Sequence, residues 1–377
     1  MNKLGVGIIG CGNISAAYLR LGPLFSSLDM RAVADINMEA AHARAEEFDV
    51  QARTVDDLLR ADDINVVVNL TIPDAHFDVT RRILQSNKHA YSEKPFVLTL
   101  KQGEELRALC ARTGLRVGSA PDTFLGGAHQ QARDILDAGT IGQVVAGSAH
   151  VMSGGMEHWH PNPDFFFLPG AGPVLDIGPY YVTNLIQLIG PVKRVAALTS
   201  SASDTREILT PGPRQGEKIP VKTPTNIHAL LEFEQGATIT MSTSWDVRAH
   251  GHTPMELYGT EGSLFLPDPN FFGGDLATAT RDGAISAVTP WDHPFGVPNE
   301  ENSGGSQANY RAAGLADMAQ AIAEGRPHRC SLELALHAVD VMTSILNSGE
   351  TGSFVELTTT CERPAALSAD HARALLA

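Results

Sequence analysis

Over the first 120 residues the hydrophobic positions switch repeatedly between two periods. Residues 4–9 form a short apolar run that predicts a strand, after which Ile14, Ala17, Tyr18 and Leu21 recur at helical spacing. Residues 30–34 predict a second strand, and 38–48 (MEAAHARAEEF) are rich in helix formers. Thr54, with Asp57 three positions on, caps a helix carrying Leu58 and Leu59. Residues 64–70 (INVVVNL) are apolar at nearly every position, as in a strand covered on both faces. A helix through Arg82 and Leu84 follows, then a strand at 89–92, a helix capped by Thr99 and Gln102, and a strand-like stretch at 115–118. Strand and helix in alternation predict βαβ units around a parallel sheet.

Beyond this point the texture changes. A helix within 126–139 precedes strand-like segments at 143–151, 192–200, 226–233, 237–244 and 255–258, which alternate or nearly so. With hairpin-like breaks such as Glu234-Gln235-Gly236 they predict a mainly antiparallel sheet. Residues 211–224 read as a loop, and 267–306 as a long Gly- and Pro-rich stretch without assignable elements. Helices at 310–324 and 332–347 lead into a polar tail. The chain therefore reads as α/β, with a nucleotide-binding domain at 1–122 and an α+β domain at 123–377.

Composition narrows the partners. Lys+Arg 28 against Asp+Glu 43 leaves a net charge of −15, which repels phosphate backbones and anionic lipid and excludes nucleic acid and membrane surfaces. Hydrophobic residues at 43% and charged ones at 19% describe a globular chain rather than a disordered one. Cys11, Cys110, Cys330 and Cys361 form no CxxC pair, which argues against a zinc ribbon, a disulfide scaffold or a dithiol redox site. With no basic leader and no long apolar segment, a soluble cytoplasmic protein is expected.

Candidate chemistry begins at Gly7-Ile-Ile-Gly10-Cys-Gly12-Asn13-Ile14-Ser15, between the first strand and the first helix. Gly10 allows a tight turn, and Gly12 lets backbone approach a pyrophosphate held at the helix N-terminus, with Asn13 and Ile14 opening the helix. Ser15 stands where the fingerprint has its third glycine, and is small enough for close packing. Asp35 ends the second strand 23 residues after Gly12, suited to accept hydrogen bonds from adenosine ribose hydroxyls. Its charge repels a 2′-phosphate, and Ile36 and Asn37 supply no cation, so NAD is preferred over NADP.

Further motifs run in order along nearly the whole chain: Thr71-Ile72-Pro73-Asp-Ala-His76, Glu93-Lys94-Pro95, Gly172-Pro-Val-Leu-Asp176-Ile-Gly178-Pro-Tyr180, Tyr258-Gly-Thr-Glu-Gly262-Ser-Leu and Gly325-Arg-Pro-His328. In this order they resemble the glucose–fructose oxidoreductase/inositol dehydrogenase (Gfo/Idh/MocA) family. The resemblance implies an N-terminal Rossmann dinucleotide-binding domain plus a C-terminal domain with a large, mainly antiparallel open-faced sheet, homodimer or homotetramer contacts through that sheet, and hydride transfer on a sugar or polyol. It also places Thr71, Ile72, Pro73, His76, Glu93 and Lys94 at the cofactor, and a cis peptide bond before Pro95. Many members carry His where this chain has Tyr180, and Asn-x-x-Arg-Phe where it has Pro121-Asp122-Thr123-Phe124. The missing arginine favours a neutral substrate, with Asp122 beside it.

Oxidation of a secondary alcohol needs a base for the hydroxyl proton and a cation near the developing alkoxide. Lys94 lies just past a parallel strand's carboxyl end, where such folds bind ligands. Asp176 and Tyr180 are four apart and share a face of one helix near its N-terminus. A phenol near pKa 10 needs a neighbouring cation to act as a base, so either Lys94 or Tyr180 takes the proton. His158-Trp159-His160-Pro-Asn162 precedes that helix, with Trp159 suited to a pyranose face and His160 and Asn162 to hydroxyls; the other reading is a loop packed by its own aromatics. No metal-ligand spacing with a carboxylate occurs, so no metal is expected. The expected activity is NAD(P)-dependent oxidation or reduction of a neutral sugar, polyol or glycoside. Two alternatives use the same fold: a glycosidase that retains NAD and acts by transient oxidation and elimination, and a non-catalytic sugar- or nucleotide-sensing regulator.

Overall fold

In the computed structural model, which describes residues 3–302 and 305–377, Cα packing separates two units. One gathers residues up to Gln130 with Asp292–Val339 and Pro364–Ala377, and the other comprises Gln131–Trp291 and Asp340–Arg363. This differs from a single boundary at residue 122. The chain returns twice to the first unit because later helices bury their apolar faces there: Leu315 and Met318 in Ala313–Glu324, and Leu375 in Ala369–Leu375, are at most 1% exposed.

The first unit is built on six strands, β1 (Leu4–Ile9), β2 (Leu28–Ala34), β3 (Gln51–Arg53), β4 (Val66–Asn69), β5 (His89–Ser92) and β6 (Val117–Ser119). Their order is β3-β2-β1-β4-β5-β6 and every pairing is parallel. Val66, Val67 and Val68 are wholly buried, as their unbroken apolar run requires. Between the strands run α1 (Asn13–Leu21), α2 (Met38–Phe48), α3 (Val55–Arg60), α4 (Pro73–Gln85) and, after β5, α5 (Leu100–Thr113). Thr99 and Gln102 form a reciprocal capping box, and the Thr54 hydroxyl oxygen accepts the Asp57 N–H at 3.1 Å. This strand order reverses direction between β1 and β4, so the loops following these strands share the sheet edge where ligands of such folds bind.

The second unit holds a nine-stranded sheet ordered Ile285–Ala287, Ala277–Ala279, Ser263–Leu266, Met255–Gly259, Val144–Met152, Thr238–Ser244, Asn226–Phe233, Val192–Ser200, Val355–Glu356. Val144–Met152 pairs with Thr238–Ser244 in parallel and the other pairings are antiparallel, giving a mixed sheet. Inward positions such as Ile227, Ala229, Leu231 and Phe233 are buried while His228 and Leu230 face outward, the period-2 pattern of a sheet covered on one side. The stretch read as a loop at 211–224 contributes Lys218–Pro220, which pairs with Thr205–Glu207.

Candidate active site

The first loop is shaped by two glycines. Gly10 has φ +105°, and a Cβ there would lie 2.5 Å from the Leu70 carbonyl oxygen, so only glycine fits. At Gly12 an added Cβ meets nothing within 4 Å, leaving open space above the start of α1. Gly12 is the N-cap of α1, no side chain caps that helix and no acidic residue sits in its first turn. Its leading N–H groups and dipole are thus available to an anion. Ser15 is fully buried and its hydroxyl donates to the Gly12 carbonyl at 2.6 Å. Asn13 is exposed and Ile14 half-buried at the helix start.

Asp35 is half-buried, and its carboxylate accepts the Cys11 N–H at 2.7 Å and the Asn37 N–H at 2.8 Å. This fixes the carboxylate against the glycine loop. Burial pushes the Cys11 thiol up to about 11, with Asp35 adding to the rise and Arg44 opposing it. Ile36, next in the chain, is 99% exposed. A large apolar side chain so placed beside Asp35 is a surface for a flat ring, which sequence reading treated only as an absent cation. Arg44, in α2, reaches the Gly12 carbonyl with Nη2 at 3.3 Å. Sequence reading missed it, because it lies nine residues beyond Asp35 and only the helix brings it back.

The loops after β4 and β5 are tied together from inside. Asn69 accepts from the Thr71 N–H and hydroxyl at 3.2 and 2.7 Å. Ile72, 68% exposed, leads into Pro73 at the start of α4. His76 was expected at the cofactor, yet it is 1% exposed: Nδ1 meets the Pro95 carbonyl at 2.7 Å and Nε2 the Thr71 carbonyl at 3.0 Å. It staples the two loops rather than facing outward, and burial holds its pKa below the usual histidine range. Glu93 is likewise turned inward, 7% exposed, accepting from the Lys94 N–H at 3.0 Å, the Tyr18 hydroxyl at 3.2 Å and Arg311 at 3.4 Å. The peptide bond between Lys94 and Pro95 is cis, and Lys94 itself is half-buried.

Asp122, expected beside the substrate, is 0% exposed, and one oxygen accepts the Ala312 N–H at 3.0 Å and the Gly314 N–H at 3.1 Å. It caps Ala313–Glu324 and holds Ala312 at φ +83°, a conformation that costs an alanine about 1–3 kcal/mol.

In the second unit Asp176 and Tyr180 belong to two helical segments, Pro173–Asp176 and Gly178–Ile189, instead of one. Pro179 has no N–H to give the Leu175 carbonyl, so the ladder breaks at Ile177 and Tyr180 N–H bonds the Ile177 carbonyl at 3.1 Å. Asp176 is half-buried and Tyr180 is 5% exposed. Its neighbour Tyr181 is also buried, and burial together with Asp268 raises its phenol.

The aromatic loop divides its side chains between packing and exposure. Phe167 is fully buried against Trp245, while Trp159 and Phe165 are 61% and 51% exposed. His160 stacks edge-on with Trp159, Phe165 and Phe166, and its Nδ1 accepts the Asn162 N–H at 3.1 Å. Arg214 binds Asp164 and donates to Asn162 at 3.2 Å, which fixes this end of the loop. Among the described residues no three His, Cys, Asp or Glu side chains are grouped to hold a metal ion, and no helix is long and apolar enough to cross a membrane.

Both parts of the chain match known families. Residues 4–120 match the oxidoreductase family with an NAD-binding Rossmann fold, and 129–265 match the GFO/IDH/MocA C-terminal domain. The chain belongs to the GFO/IDH/MocA oxidoreductases. It is 24% identical over 325 residues to an uncharacterised oxidoreductase of Schizosaccharomyces pombe, covering 80% of this chain and 84% of that one. Over 147 residues it is 30% identical to inositol 2-dehydrogenase of Salmonella paratyphi B, covering 37% of this chain and 43% of that one. A levoglucosan dehydrogenase solved with NADH and L-sorbose shares the fold at a TM-score of 0.81 and 21% identity, across 95% of this chain and all of that one.

As a GFO/IDH/MocA oxidoreductase the protein takes a nicotinamide dinucleotide, and the first unit fits one. The open space at Gly12, the uncapped α1 and the anchored Asp35 are what a pyrophosphate and an adenosine ribose require.

Proposed function

We propose that the protein is an NAD-dependent dehydrogenase acting on a secondary hydroxyl of a neutral sugar, polyol or glycoside. The observation that carries this reading is the uncapped α1 over an open glycine loop, with Asp35 anchored beside it. Gly10, Gly12, Asn13 and Ile14 seat the pyrophosphate, and Asp35 accepts from the adenosine ribose, favouring NAD over NADP. Thr71, Ile72 and Pro73 line the same edge. When bound, the cofactor supplies the hydride acceptor. Lys94 places an ammonium where negative charge develops on the substrate oxygen, or takes its proton directly. Asp176 and Tyr180 are assigned to proton transfer, Tyr180 standing where many family members have His. Trp159 offers an apolar ring to a sugar face, and His160 and Asn162 offer hydrogen bonds to hydroxyls. The names of inositol 2-dehydrogenase and levoglucosan dehydrogenase support a polyol or sugar substrate. Copies associate through the open face of the nine-stranded sheet, a reading supported by Leu198, 75% exposed, and Leu230, 45% exposed, on that face.

The test is a panel of sugars and polyols assayed for NADH formation at 340 nm. Lys94→Met is expected to lower kcat by roughly 100-fold or more with the NADH dissociation constant nearly unchanged. Wild-type turnover in that variant would remove Lys94 from the chemistry. No turnover anywhere in the panel, with tight ligand binding, would replace the dehydrogenase by a sensor.

A further inference from the structure

Cofactor choice in this fold turns on the groups around the adenosine ribose. Asp35 is one. By itself it repels a 2′-phosphate, and the two residues after it carry no compensating charge. A cation nevertheless stands at the loop. Arg44 lies two turns along α2, and its side chain runs back toward the helix N-terminus, as long helical side chains do. Nη2 donates to the Gly12 carbonyl at 3.3 Å, the residue after Cys11, whose N–H is held by Asp35. Acid and guanidinium thus bracket adjacent peptides of one loop.

The guanidinium is also poised rather than spent. Nη1 is paired with Glu47 at 2.6 Å, but Glu47 is 54% exposed and such surface pairs contribute little. The Arg44 side chain is 17% exposed, its guanidinium carbon lies 5.9 Å from the Phe48 ring, and its Nε is buried with no hydrogen-bond partner. A planar fork set over an aromatic ring, with Nη hydrogens left over, suits a phosphate better than it suits a lone carbonyl.

We propose that Arg44 is a second determinant of cofactor choice, a cation at the glycine loop that admits a ribose 2′-phosphate which Asp35 alone would repel. Asp35 sets the preference for NAD, and Arg44 limits how strict it is, so the enzyme binds NADPH measurably. This rests on the nicotinamide-cofactor reading of the glycine loop. Glu47 acts against it by competing for the same guanidinium.

Equilibrium binding tests this without turnover. NADH, NADPH, 5′-AMP and adenosine 2′,5′-bisphosphate are titrated by calorimetry into the wild-type protein and into Arg44→Gln, Arg44→Lys and Glu47→Gln. Arg44→Gln is expected to weaken NADPH and the bisphosphate about 10-fold or more, the loss of one charge-assisted phosphate contact, with NADH and 5′-AMP within about 2-fold. Arg44→Lys recovers part of that loss, and Glu47→Gln tightens the two 2′-phosphorylated ligands alone. Equal weakening of all four ligands in Arg44→Gln would make Arg44 a brace for the loop and overturn the proposal. No change in any ligand would overturn it as well. If the wild-type protein bound neither NADH nor NADPH, the cofactor reading itself would fall.

Discussion

Burial pushes the Asp122 carboxyl up to about 6, against the opposing pull of Arg311 and of the Gly314 N–H. A carboxyl raised in the native state holds its proton more tightly when folded. Its stabilisation is therefore complete below about pH 4 and is lost as pH rises toward 6. From 3.8 to about 6 the difference is on the order of 3 kcal/mol. Asp122→Asn keeps an oxygen for the Ala312 and Gly314 N–H groups and removes the titration. Urea unfolding at pH 4 and pH 7 should show the variant gaining roughly 2–3 kcal/mol on the wild type across that interval. A difference independent of pH would show that the carboxyl is not raised. His76 has the opposite sign: burial lowers it, so its stabilisation is present above the ordinary histidine range and lost as pH falls below it. A neutral ring donates to one of the two facing carbonyls and an imidazolium to both. His76→Ala leaves the carbonyl that accepts from the neutral ring without its buried donor and should cost about 1–3 kcal/mol in chemical denaturation. It should also lower kcat more than it raises the NADH dissociation constant, since the Pro95 loop that carries Lys94 is released.

At the scale of elements, the capping box at Thr99 and Gln102 was visible as a spacing and stands with both bonds formed. Thr99→Ala should lower unfolding free energy by about 1 kcal/mol, a shift of a few degrees in melting temperature. Such local codes are why 38–48 and 89–92 were readable to the residue: helix formers, caps and apolar runs act within one segment. Direction is not local. Spacing placed Asp176 and Tyr180 on one helix, but Pro179 removes the N–H that would have continued it. The family resemblance pointed to Glu93, His76 and Asp122, and each is bonded inward to backbone N–H or carbonyl groups that no sequence pattern marks. Arg44 was hidden for the converse reason, being distant along the chain and close only once α2 folds.

The whole molecule offers two larger tests. On the open sheet face Leu198 pairs with His228, and Leu230 follows two positions on, so both leucines point to the same side. If copies associate there, Leu198→Glu with Leu230→Glu should reduce the mass seen by light scattering to that of one chain while NADH binding persists. An unchanged mass would place any association elsewhere. The second test concerns residues 364–377, which read as a polar tail. They lie in the first unit, where Leu367 and Ala372 are 0% exposed and Leu375 is 1% exposed. The Ser26 N–H donates to the Leu375 carbonyl at 2.9 Å, and the Ala377 N–H to the Leu24 carbonyl at 2.8 Å. Arg329, itself 6% exposed, donates to the Ala365 and Ala366 carbonyls at 2.9 and 3.0 Å and is paired with the buried Asp317. Ending the chain after Arg363 would delete two buried leucines, whose burial is worth about 1.5–3 kcal/mol each, and strip acceptors from a buried guanidinium at about 1–3 kcal/mol apiece. That sum rivals the 5–15 kcal/mol by which a typical domain is stable. The truncated protein should therefore lose NADH binding and its cooperative unfolding transition. Leu375→Ala, a milder lesion, should keep NADH affinity and cost about 2–5 kcal/mol. Full stability in the truncated chain would show that the first unit is complete without its last segment.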